Sequence, residues 1–167
     1  LGTIFFEQSR ILVARPFLQK ASELSPTDLE LKIKLGYIDL ALRDFAGARA
    51  KAIAVLDKDP AHPLAPLLLA EAAPTVKDMD EARQRLRALP TAAGAPVQVA
   101  LGSMDLRQNK LEDAEAALKR GLAADPKSAD AHLAMGALLM VRKDLAAAGP
   151  EFQQAADLSP ARSSKRV

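Results

Sequence analysis

The sequence predicts an all-α protein, an α-solenoid of antiparallel helix hairpins. Three observations predict it. Apolar residues recur at helical rather than alternating spacing. About one residue in five is Ala, the best helix former. Proline, glycine and alanine landmarks return at steps of 34 residues or close to it, the mark of a repeat architecture.

The prolines that follow apolar helical stretches are Pro26, Pro60, Pro126 and Pro160. Glycines preceded by Leu or Met are Gly2, Gly36, Gly102 and Gly136. Both series step by 34, 66 and 34. Alanines twelve residues after a glycine are Ala14, Ala48, Ala114 and Ala148; Ala82 lies 34 after Ala48 and 32 before Ala114. The chain therefore holds five units, over residues 1–26, 27–60, 61–94, 95–126 and 127–160, with the third two residues short.

Each unit reads as two helices. In the second, Leu31, Leu35, Ile38 and Leu42 mark the first helix. Phe45, Ala48, Ala52, Val55 and Leu56 mark the second. The breaks fall at Arg43-Asp44, Asn109-Lys110 and Lys143-Asp144. Ser25-Pro26-Thr27-Asp28, Asp59-Pro60-Ala61-His62 and Asp125-Pro126-Lys127-Ser128 combine helix stops with N-cap residues. Gly36 with Ala48, Gly102 with Ala114 and Gly136 with Ala148 are placed where the two helices cross, since only small residues let the axes approach. Ala70 takes the glycine place opposite Ala82. The early Pro90 predicts a shorter second helix in the third unit and a local change of superhelical pitch. Pro16 and Pro150 stand two residues after their marker alanines, early in second helices, and Gly149-Pro150 is expected to delay or kink its helix.

This pattern resembles the tetratricopeptide repeat (TPR) family, whose signature is Trp-x2-Leu-Gly-x2-Tyr, Ala-x3-Phe and Pro. The first half stands here as Leu1-Gly2-x2-Phe5, Leu35-Gly36-x2-Asp39, Leu101-Gly102-x2-Asp105 and Met135-Gly136-x2-Leu139. The second stands as Ala14-x3-Leu18, Ala48-x3-Ala52, Ala82-x3-Leu86, Ala114-x3-Leu118 and Ala148-x3-Phe152. Lys32, Pro66, Gln98 and His132 replace the Trp, so its packing is lost. The resemblance covers residues 1 to about 160 and implies a right-handed superhelix. The first unit lacks the start of its opening helix, and no cap helix follows Pro160. The expectation is a fragment of a larger bacterial protein with a disordered basic tail at 161–167, or ends that pair with a second chain.

In TPR proteins the first helices line a concave groove that holds a partner peptide or helix. That places Phe6, Glu30, Ile33, Tyr37, Leu40, Leu67, Glu71, Ser103, Leu106, Arg107, Leu133 and Met140 in the groove. Thr3, Glu7, Leu64, Val99, Asp130 and Ala137 stand beside them. For Ile33, Leu67, Val99 and Leu133, packing between units competes with a groove role. Tyr37, with an apolar body and a polar tip, is the leading contact. The Lys, Arg and Asn clamp with which chaperone-binding TPR domains hold a C-terminal carboxylate is missing. An apolar groove with a few acids suits an amphipathic helix or an apolar extended segment. Asp39 and Asp105 stand three residues after the glycine. They are read as half-exposed acids, with Arg43 and Asn109 one turn away, or as groups that meet a basic partner.

Catalytic and metal chemistry find little support. The chain has no Cys and two His, which rules out disulfides and Cys-ligated metals. His62, in a turn, and His132 are 70 residues apart and neither has a second ligand at metal spacing. No nucleophile elbow or phosphate loop occurs. Glu112-Asp113 and Asp78-Asp80-Glu81 open second helices, where acids stabilise the positive helix end. Lys+Arg is 23 and Asp+Glu 21, too even for strong phosphate binding. The functional expectation is a non-catalytic scaffold without cofactor or metal. It binds a protein or peptide, with self-association through repeat ends as a further mode. A helical-repeat nucleic-acid module, or an accessory domain of an enzyme, is the alternative. The sequence leaves the compartment open between cytoplasm and bacterial periplasm.

Overall fold

A computed structural model describes residues 11–159, with side chains from Val13 onward. Among these residues there are nine helices and no strand. They are α1 (Ile11–Leu24), α2 (Leu29–Ala41), α3 (Phe45–Leu56), α4 (Ala65–Glu71), α5 (Val76–Arg87), α6 (Ala95–Arg107), α7 (Leu111–Ala124), α8 (Ala129–Val141) and α9 (Leu145–Leu158). The fold is the expected all-α solenoid of hairpins. Helix α1 is the second helix of the first repeat; α2 with α3, α6 with α7 and α8 with α9 pack as hairpins, and α4 and α5 are the helices of the third repeat. The chain divides into two compact halves, the first ending at Ala82 and the second beginning at Arg83.

The turns inside the hairpins form where the sequence breaks. Arg43, Asn109 and Lys143 have φ of 63°, 57° and 63°, the left-handed conformation that ends a helix. The next residue's N–H reaches back five places: Asp44 to Asp39, Lys110 to Asp105 and Asp144 to Leu139, at 2.8–2.9 Å. The left-handed residue's own N–H reaches back three places, to Leu40, Leu106 and Met140. These paired bonds satisfy carbonyls that a bare helix end leaves open. Asp44 and Asp144 then cap the following helix, accepting from the N–H of Gly47 and Ala147. Asp28 and Ser128 cap α2 and α8 in the same way.

Helix α2 packs on α1, α3 and α4, and α3 also packs on α4. In the second half α6 packs on α7 and α8, α7 on α8, and α8 on α9. First helix against next first helix is how a stacked array buries apolar faces that one hairpin leaves open. Ala14, Leu18, Leu35 and Ile38 form one buried cluster, with Leu31 against it. Ala114, Leu118, Met135 and Leu138 form its counterpart, with Leu106 and Leu139 among the residues against it. Each large side chain buried in this way contributes about 1.5–3 kcal/mol.

A side chain at the described marker glycines would crowd a neighbour, though a different one in each. A Cβ at Gly102 meets Leu118 at 2.8 Å, and one at Gly136 meets the Phe152 ring at 2.8 Å, both from the second helix of the same hairpin. At Gly36 the nearest atom is not on the Ala48 helix but on Leu68 of the next repeat, at 2.5 Å. Leu118 and Phe152 stand four residues after their marker alanines. In the second repeat that place holds the small Ala52, and Leu68 comes in from α4.

The third repeat departs from expectation. Its second helix ends early, five residues past Ala82, but it also starts early, so α5 has 12 residues like α3. The shortened element is the first helix, α4, with seven residues against 13 in α2, α6 and α8. Pro74 pushes Ala73 out of the helical region and ends it. Thr75 and Asp78 then restart the chain with a reciprocal cap. The Thr75 hydroxyl accepts from the Asp78 N–H, and the Asp78 carboxylate accepts from the Thr75 N–H. Helix α9 is not delayed by Gly149-Pro150; it begins at Leu145 and runs through Pro150. Pro150 has no N–H to donate to the Ala146 carbonyl, and Ala146 is exposed, where that loss costs least.

Candidate functional site

In the first half, Glu30, Ile33, Tyr37 and Leu40 share one face of α2. Ile33 is only 1% exposed and belongs to the packing. Tyr37 and Leu40 are half-buried, as is Leu67 on α4, while Glu71 is exposed. Leu64, beside them, is half-buried too. Glu30 is exposed but engaged: its carboxylate lies 3.3 Å from Nε2 of the buried His62. Nδ1 of that ring accepts the Leu64 N–H, so the ring proton sits on Nε2, facing Glu30.

In the second half, Val99 is 2% exposed and packed away. Ser103 and Leu106 on α6 are half-buried and Arg107 is exposed. On α8, Ala137 is half-buried while Asp130, Leu133 and Met140 are exposed. Thr3, Phe6 and Glu7 lie outside the described residues, as does the 161–167 tail. The structure thus separates the four residues in which packing competed with a groove role. Ile33 and Val99 are interior, Leu67 is intermediate and Leu133 is open.

Asp39 and Asp105 are not the half-exposed acids the sequence led us to expect. They are 3% and 5% exposed. Asp39 is met by Lys51 at 2.5 Å and Arg15 at 3.7 Å, not by Arg43, whose guanidinium lies over the Phe45 ring. Asp105 is met by Arg83 at 2.6 Å, not by Asn109. Arg83 also donates to Gln108. Burying these carboxylates is tolerable because each has a cation in contact.

The cations follow a rule. Arg15, Arg49 and Arg83 each come directly after a marker alanine, and each reaches an acid of the following repeat. Arg49 pairs with Asp78, because the third repeat carries Ala73 where Asp39 and Asp105 stand elsewhere. Hydrogen bonds from Thr75 and then Arg49 hold the Asp78 carboxyl below its ordinary range. At the last junction the polarity reverses: Glu115 follows Ala114 and receives Arg142. Lys119 and Arg142 together hold the Glu115 carboxyl low. The 34-residue spacing of the three arginines was visible in the sequence; their acidic partners were not.

The positions that replace Trp share a further device. Lys32 donates to the Pro26 carbonyl, Gln98 to that of Ala92 at 2.7 Å, and His132 faces that of Pro126 at 3.1 Å. Each reaches six residues back and ties the inter-repeat loop to the helix that follows it. Pro66 has no such donor. The Gln98 oxygen accepts from Arg120, and Nδ1 of His132 lies 2.7 Å from Glu151.

Among the described residues no group of His, Cys, Asp and Glu could hold a metal ion, and no helix is long and apolar enough to cross a membrane.

The tetratricopeptide repeat family model matches residues 33–96 and 99–163. The chain belongs to the tetratricopeptide repeat family. TPR proteins are typically scaffolds rather than catalysts. Solved TPR structures share the fold. A thermophilic TPR protein of Thermus thermophilus, TTC0263, is similar with a TM-score of 0.70 at 21% identity, over 96% of this chain and 89% of that one. PilF of Pseudomonas aeruginosa gives 0.61 at 19%, over 95% and 73%. MamA of Desulfovibrio magneticus gives 0.55 at 20%, over 99% and 93%. No curated protein sequence matches the chain.

Proposed function

We propose that this TPR protein is a non-catalytic scaffold that holds a partner peptide or amphipathic helix on the faces of its first helices. One observation carries the reading. The residue four places after the marker glycine is Leu40, Leu106 and Met140, apolar in every described glycine-bearing repeat and at least partly uncovered in each. An apolar residue at this register in each half favours a guest with an apolar face, the helix-in-groove mode. Tyr37, three places before Leu40, adds an aromatic body with a polar tip, the kind of side chain enriched at binding hot spots. The nucleic-acid and enzyme-accessory alternatives draw on none of these residues.

The test compares proteins retained by the immobilised chain with those retained by a Tyr37→Glu/Leu40→Glu double variant, with circular dichroism confirming the fold of both. Loss of the retained partner is expected. Equal retention by a folded double variant overturns the groove reading.

A further inference from the structure

His62 stands in the loop before α4 and is 4% exposed. A buried imidazole needs partners for both ring nitrogens, and His62 has them. Nδ1 accepts the Leu64 N–H at 3.2 Å, and Nε2 lies 3.3 Å from a carboxylate oxygen of Glu30 on α2. The ring thus offers Glu30 an N–H donor fixed in place by the backbone. The Glu30 side chain is nevertheless 63% exposed. Among the described residues no Lys or Arg pairs with it. Lys32 is committed to the Pro26 carbonyl, and Lys34, one turn on and half-buried, makes no ion pair. Tyr37 follows Glu30 by seven residues on the same face of α2, roughly 10 Å along the axis. Leu40 lies one turn further, and the half-buried Leu64 and Leu67 belong to the neighbouring α4 segment.

We propose that Glu30 selects the charge of what the first half binds: it takes a Lys or Arg side chain of an amphipathic helix whose apolar residues lie on Tyr37 and Leu40. His62 is the positioning residue that aims it. This rests on the groove reading and names the chemistry of its guest, a cationic side chain about two helical turns from an apolar one. Charge complementarity and pre-organisation carry it. A carboxylate already held by one donor loses less freedom when a cation arrives. A hydrogen bond from that cation to the carboxylate is roughly twice as strong as one between neutral groups. The positive start of α2 favours an acid in its first turn, but it does not call for a buried imidazole from another segment to hold that acid. The chain as a whole is close to neutral, with a formal net charge of +2, so a cationic guest gains from Glu30 and not from a general field.

Fluorescence anisotropy of the 167-residue chain with two labelled synthetic helices tests it. The helices share one leucine stripe and differ only in the polar face, lysine in one and glutamate in the other. The lysine helix is expected to bind about tenfold more tightly. Glu30→Gln, at an exposed position, leaves the circular dichroism unchanged and removes most of that preference; Lys34→Gln keeps it. A folded His62→Leu variant weakens the lysine helix and leaves the affinity of the glutamate helix as it was. Equal weakening of both overturns the positioning role, since a disturbed loop would act on either guest. Carbodiimide coupling of the bound lysine helix should place the new amide at Glu30. Equal binding of the two helices by the parent overturns the proposal and leaves the groove standing. So does a preference that survives Glu30→Gln, or amides found only at other carboxylates. Undiminished binding of both helices by Tyr37→Glu/Leu40→Glu is the distinct outcome that removes the groove itself, and this proposal with it.

Discussion

Arg83 reaches Asp105 in the fourth repeat just as Arg15 reaches Asp39 in the second: each arginine follows a marker alanine, and each aspartate lies three residues after a glycine. Both carboxylates are buried, where an uncompensated charge is costly. The pair works as a register mark. It rewards one alignment of a second helix against the next first helix and penalises a slip along the array. The reversed pair Glu115–Arg142 makes the last junction differ in sign from those before it.

Asp105→Ala is therefore expected to act on stability. Removing it strands the Arg83 guanidinium, itself only 13% exposed, and a loss of about 3 kcal/mol follows. Urea unfolding measures it. A variant as stable as the parent would instead free Asp105 for a role toward a basic partner.

Gly102→Ala and Gly121→Ala should have opposite signs. Alanine gains about 0.5–1 kcal/mol over glycine in a helix interior. At Gly121 a Cβ meets its nearest neighbours at 3.5 Å, so that gain is realised. At Gly102 the Cβ strikes Leu118 at 2.8 Å and crowds the Ala114 carbonyl at 3.3 Å. Leu118 must shift or the hairpin spread, costing about 1–3 kcal/mol. Thermal melts of the two variants decide it, and a stabilised Gly102→Ala would refute the steric account.

His132 gives the fifth repeat a pH dependence of predictable sign. Burial alone lowers its pKa. Its bonds to Glu151 and the Pro126 carbonyl, with the charges of Glu151 and Asp125, outweigh burial and raise it above the ordinary 6.5. The cation is thus favoured in the folded state. Its stabilisation is complete below the unfolded value of about 6.5 and is lost as pH rises through the folded one. His132→Gln is the control, since Gln98 shows that an amide can make the same reach-back bond without titrating. The gap in Tm between parent and variant should shrink from pH 6 to pH 9, and a gap independent of pH would remove the imidazolium from the account.

The hairpin turns and the repeat register were legible because local chemistry sets them. A left-handed residue, a capping aspartate and a stopping proline act within a few places along the chain. The shift of α5 was only half legible. Pro90 announced its early end, but the early start depends on Pro74 closing α4 and on the Thr75–Asp78 cap. The groove positions were named by register alone, and register does not say which of them a neighbour covers. Ile33 and Leu133 hold the same place and differ because α4 packs on α2, while the matching face of α8 stays open.

Residue order alone determined that this chain forms helices, where they break and how often the pattern returns, since helix propensity and end chemistry are short-range. Which acid meets which arginine, why Gly36 yields to Leu68 rather than to its own hairpin, and which apolar residues stay at the surface were decided only by packing. Those contacts join residues about 20 to 30 places apart along the chain, and it is the stacking of one hairpin on the next that brings them within touching distance.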